Sequence, residues 1–131
     1  MGTNDGDARI VRLFFTETAK NTAVTTLDDA AGYEVHADIE IGKDLNESVS
    51  HHLLRVVVVN LFTGAVVGSG KIDEPLKAQE QTFRTETLKV TFPAPGGVAA
   101  GDVLVARASY KVEAGVNFDI SNIESTTVQI V

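Results

Sequence analysis

The chain has 131 residues, a formal net charge of −7, 44% hydrophobic and 22% charged residues, no Cys and no Trp. That length supports one domain around one largely aliphatic core, and the composition excludes wholesale disorder and fibrous repeats. Without Cys, disulfides, thiolate metal sites, iron–sulfur clusters and cysteine nucleophiles are excluded as well.

Charge is unevenly spread: residues 1–52 hold ten Asp/Glu against four Lys/Arg, and residues 53–131 hold eight against seven. There is neither a basic cluster nor an aromatic platform for bases, so nucleic acid is not an expected partner. The acidic start lacks the basic and apolar regions of a secretory signal. The longest apolar run, residues 56–59, falls far short of the ~20 residues of a membrane-spanning helix. The expectation is a cytoplasmic chain with no transmembrane segment, whose residues 1–8 form a loosely ordered arm.

In chain order, residues 10–18 (IVRLFFTET) open a strand, and residues 24–27 form a shorter one. Residues 33–41 (YEVHADIEI) alternate without a slip. Tyr33, Val35, Ala37, Ile39 and Ile41 fall on one face, and Glu34, His36, Asp38 and Glu40 on the other. Residues 53–62 (LLRVVVVNLF) are apolar on both faces and rich in β-branched side chains, the pattern of a central strand covered on both sides. Thr63-Gly64 then marks a hairpin. The return arm, 66–72, contains Gly68 and Gly70, which suits a short edge strand or a bulge.

Residues 73–80 (DEPLKAQE) place a capping Asp and an early Pro before good helix formers, predicting at most one short helix near 74–80. Residues 82–92 resume alternation, and Pro93-Ala94-Pro95-Gly96-Gly97 ends it in a loop. Residues 103–112 form the next strand, Ala114-Gly115 begins a turn, and residues 123–131 form the last strand. Seven or eight strands with regular turn signals, and none of the helices that parallel crossovers need, predict one all-β domain over residues 1–131. It is an antiparallel β-sandwich.

The lead-in Gly101-Asp102-Val103-Leu104-Val105-Ala106 resembles the Gly-Asp-aromatic-x-Val-x-Ala pattern found before a late strand in many immunoglobulin-like sandwiches. Val103 stands where those domains usually carry Tyr, and their buried Trp and paired Cys are absent. The resemblance therefore concerns the superfold, not a family within it. A C2-like or jelly-roll sandwich is the alternative.

Residues 64–71 invite a phosphate-loop reading that fails: Ala65 stands where the first Gly belongs, Ile72 replaces the Mg²⁺-binding Ser/Thr, and no helix follows at once. Ser69 lacks the G-x-S-x-G frame of a nucleophile elbow. His51 and His52 are adjacent, so on a strand they point to opposite faces and cannot share one ion. In the 33–41 row, side chains two apart stand ~7 Å from each other. His36, Asp38 and Glu40 are the candidate metal ligands, for Ca²⁺ or another divalent cation. The competing and favoured reading is the solvent face of a half-buried strand.

Asp28 and Asp29, with Asp102 or Asp119, are possible Ca²⁺ ligands at one end of a sandwich, but no calcium-loop motif is present and turn chemistry accounts for them. Asn46-Glu47-Ser48 is a glycosylation sequon, relevant only to a secreted eukaryotic chain. An exposed Phe14 or Phe15 would mark a partner surface. Together these features lead to the expectation of a non-enzymatic protein-binding or assembly module, with a protein partner or self-association through an edge strand. A metal-binding sandwich is the alternative. Neither catalytic nor cofactor-binding residues are expected.

Overall fold

The computed structural model describes residues 6–131. The described residues form nine strands, β1 (Ala8–Glu17), β2 (Thr26–Leu27), β3 (Tyr33–Ile41), β4 (His51–Asn60), β5 (Val66–Pro75), β6 (Arg84–Phe92), β7 (Val103–Ala114), β8 (Asn117–Glu124) and β9 (Val128–Ile130), and one four-residue helix between β3 and β4, α1 (Lys43–Asn46). A smaller sheet has the order β1-β3-β6 and a larger one the order β2-β9-β7-β4-β5, with β8 also paired to β7. Every strand pair except β2 with β9 is antiparallel.

β8 and β9 run successively along one edge of β7. The break between them is held by Ser125, whose N–H donates to Ala106 O (2.8 Å) and whose Oγ accepts from Ala106 N–H. Connections 42–50, 76–83 and 93–102 each cross from one sheet to the other, the alternation of an immunoglobulin-like sandwich. The resemblance to that superfold holds.

Period-two patterning decides what is inside. β3 runs as predicted and sends Tyr33, Val35, Ala37, Ile39 and Ile41 inward, each at most 1% exposed. They meet Leu54, Val56 and Val58 of β4 and Leu104, Ala106 and Tyr110 of β7 in one core. β1 carries a bulge between Ile10 and Arg12, which lets Ala8 and Ile10 share the inner face with Leu13 and Phe15 while Val11 turns out. Tyr33 stacks on Phe92 at 5.0 Å between ring centroids.

Several expectations are corrected. The loose arm was expected to span residues 1–8, but Ala8 is buried and already pairs with Ile41, and Asp7 O accepts a hydrogen bond from Gly42 N–H. Residues 1–5 lie outside the described residues. No helix forms near 74–80. β5 continues to Pro75, and the backbone N–H groups beyond it are taken by the facing loop: Leu76 by Ser50 O, Gln79 by Asn46 O and Gln81 by the Glu47 side chain. An α-helix over 74–80 would need the Gln79 and Gln81 donors for its own carbonyls.

β5 is an edge strand, but a long one, and it carries the expected bulge at Val67, the extra residue where Val58 and Val59 of β4 pair with Gly68 and Val66. Its glycines serve close approach instead: a Cβ on Gly70 would stand 2.6 Å from Val90 Cγ1, and one on Gly68 2.9 Å from the Tyr33 hydroxyl. The last strand was expected over residues 123–131, yet pairing begins at Asn117, whose polar-rich sequence through Asn122 gives little apolar signal.

β4 departs from expectation most consequentially. Its inward residues Leu54, Val56 and Val58 are fully buried, but its outward Leu53 and Val57 are only half-buried and Arg55 is exposed. Among the described residues no element covers that outer face. No helix among the described residues is long and apolar enough to cross a membrane.

Candidate functional site

The charged row of β3 is divided by its surroundings. At its first end the 18–25 loop folds over the sheet, with Ala19 N–H donating to Glu34 Oε1 (3.3 Å) and Lys89 Nζ to Asn21 Oδ1 (3.0 Å). Beneath it, His36 is 1% exposed. Its Nε2–H is shared between Glu34 Oε1 (3.2 Å) and Thr16 Oγ1 (3.1 Å), and its ring packs on Phe14. The Arg12 guanidinium in turn covers Phe14 at 4.1 Å from the ring centre, so neither Phe14 nor Phe15 is an exposed partner surface.

Burial would raise the Glu34 pKa. The hydrogen bonds from His36, Thr91 and the Ala19 N–H, with the charge of His36, outweigh it and hold the carboxyl below the usual range. At the other end Asp38 accepts from Thr87 Oγ1 (2.6 Å), and Asp38 and Glu40 are half-buried. His36, Asp38 and Glu40 thus stand on one face as expected but do not converge. Among the described residues no group of three or more His, Asp and Glu side chains is arranged to hold a metal ion. The reading of the whole row as a wet face is corrected too, because Glu34 and His36 are buried.

The other candidates are engaged locally. Asp28 Oδ1 accepts from Ala30 N–H in a turn, Asp102 accepts from Asn60 and Ala99, and Asp119 accepts from Ala8 N–H. The sequon Asn46 is fully buried, its Nδ2 donating to Gln79 Oε1 and Thr82 O.

His51 and His52 face opposite ways. His51 lies on the outer face between Asp73 and Glu113. His52 points inward and is fully buried, with Nε2 2.8 Å from Glu74 Oε1 and Nδ1 2.7 Å from the Tyr110 hydroxyl. A carboxylate only accepts, so Nε2 carries a proton, and in the neutral ring Nδ1 accepts from Tyr110. Burial, then nearby Glu86, pushes the Tyr110 hydroxyl well above its usual range. The group is a polar lock in which His52 and Tyr110 are buried and Glu74 reaches solvent. Sequence reasoning missed it because Tyr110 lies 58 positions away from His52 and alternates as a core residue.

The open outer face of the larger sheet is the candidate binding surface. A groove of about 790 Å³ is lined by Val57, Val59, Val66, Ala108 and Ile123, together with Arg55 and Arg107. Along β4 the outward order is Leu53, Arg55, Val57, and toward the β7–β8 hairpin Phe118 and Ile120 are exposed on β8. The free edge of β5 borders the groove at Val66. The signal that could have found this face was in the sequence: Arg55 interrupts an apolar run at an outward position, which a fully covered strand does not tolerate.

No family model matches the chain, and no curated protein matches it. Similar solved structures are a putative beta-galactosidase from Bacteroides fragilis (TM-score 0.51, 11% identity, 92% of this chain and 17% of that one) and a beta-glucuronidase from glycoside hydrolase family 2 (0.50, 11%, 94% and 12%). A third is the sporulation control protein Spo0M from Bacillus subtilis (0.50, 10%, 95% and 49%). The chain spans less than half the length of each, and at these identities the likeness is one of fold.

Proposed function

We propose that the chain is a non-catalytic protein-binding module that receives its partner on the outer face of the larger sheet. The observation that carries this reading is the uncovered groove over β4, where half-buried Val57 and exposed Val66 of the neighbouring strand lie beside an Arg55 side chain with no ion-pair partner among the described residues. An uncovered apolar sheet face rimmed by polar groups is the usual character of an interaction site. The fold supports it indirectly, since a sandwich of this kind matches only a small part of the two glycosidases.

Selection of displayed peptides on the native chain, followed by rebinding to Val57→Glu and to Thr87→Arg on the smaller sheet, tests the reading. The expected ligands lose binding to Val57→Glu and keep it on Thr87→Arg, with both variants melting like the parent. Ligands indifferent to Val57→Glu, or lost on Thr87→Arg instead, overturn it.

A further inference from the structure

We infer that the groove is anchored by a carboxylate on an extended, apolar-flanked peptide, held by Arg55 with Lys71 and Ser109; this rests on the proposed binding face. Arg55 is the centre of the outward row of β4. Directly opposite it stand Lys71 on β5 and Ser109 on β7. Like charges abreast on a ladder repel, and among the described residues only Lys71 of this pair has a counter-ion, Asp73 at 4.0 Å on its own strand. The acids of the face are engaged elsewhere. Asp73 pairs with His51 and Lys71, Glu113 with Lys111 and His51, and Glu124 with Arg107. Among the described residues the Arg55 side chain has no hydrogen bond or ion pair, yet it lines the main groove and both hollows beside it.

Charge complementarity points to an acidic ligand. This face carries Arg55, Lys71, Arg107 and Lys111, four of the chain's 11 basic residues, against three of its 18 acidic ones. A guanidinium binds a carboxylate through two parallel hydrogen bonds.

The neighbouring residues fix the form of the ligand. Leu53 and Val57 lie two residues either side of Arg55, ~7 Å along the strand, with Ile120 beyond Leu53 across β7 and exposed Val66 of β5 lining the same groove as Val57. An extended peptide has the same two-residue spacing. With its carboxylate on Arg55, its side chains two positions away rest on these apolar patches. Nucleic acid phosphates would leave those patches unmatched.

The test titrates isotope-labelled chain with blocked Val-Ser-Glu-Ser-Val and its Gln counterpart, following the amides of residues 53–57, 69–71 and 107–111. The Glu peptide is expected to shift these amides saturably, and the Gln peptide to bind about tenfold more weakly. Arg55→Gln should erase the difference without lowering the melting temperature, and Lys71→Gln should reduce it. Equal titration by both peptides overturns the carboxylate anchor while leaving the binding face intact, whereas display ligands indifferent to Val57→Glu overturn the face itself. Failure of the Glu peptide to shift these amides at millimolar concentration overturns the inference. So does tighter binding at these residues by inorganic phosphate, oligothymidylate or phosphatidylserine vesicles.

Discussion

Tyr33 and Tyr110 are both buried core tyrosines, and their hydroxyls have opposite energetic roles. The Tyr33 hydroxyl has no hydrogen-bond partner among the described residues, and burial pushes its pKa up to about 12. A buried, unsatisfied hydroxyl costs about 1–3 kcal/mol. Tyr33→Phe is therefore expected to raise stability by roughly 1 kcal/mol, measured by urea unfolding, and a loss would refute the assignment. Tyr110→Phe is expected to lower it by about 1–3 kcal/mol, because His52 Nδ1 is then buried without its partner. Glu34 adds a pH dependence. Its folded pKa is lowered, so its contribution is fully present above the unfolded value and is lost as pH falls through the folded one. Glu34→Gln should flatten the acid limb of stability against pH while leaving its neutral-to-alkaline part parallel to the parent. The alternation of β3 was legible at this scale, but the burial of Glu34 and His36 was not, since it depends on a loop 15 residues upstream folding back over the sheet.

At the level of elements, strands were readable where one face is apolar and the other polar, as in β3. They were obscured where polar residues dominate, as in β8, and where a loop's donors are captured by another loop, as after Pro75. Gly68 and Gly70 look in sequence like flaws in an edge strand, yet in the fold they let β5 close against β6. Gly70→Ala is expected to cost about 1–3 kcal/mol, because its Cβ would overlap Val90. Gly96→Ala, which meets open space, should change stability by less than about 0.5 kcal/mol. In the double variant Gly70→Ala/Val90→Ala the loss should be smaller than the sum of the two single losses, because the smaller side chain makes the room that the new methyl needs. Strict additivity would contradict the packing role given to Gly70. β4 taught the reverse lesson. Its valine run marks a central strand, between β7 and β5, but cover on both faces cannot be inferred from apolar residues alone.

At the scale of the whole molecule, the sandwich has a closed interior and two unlike outer faces. The smaller sheet presents a charged row whose members are engaged with one another and with Thr16, Thr87 and Thr91. The larger sheet presents an apolar groove with a cation at its centre and no covering element among the described residues. One overall fold thus places acidic chemistry on one side and the proposed binding face on the other. The most direct test is amide mapping of the labelled chain with a peptide selected on it. The expected perturbations lie along β4, β5 and β7, at residues 53–59, 66–71 and 105–111, and spare residues 34–40. Perturbations confined to residues 34–40 and 85–91, with β4 unmoved, would contradict the assignment of the binding face.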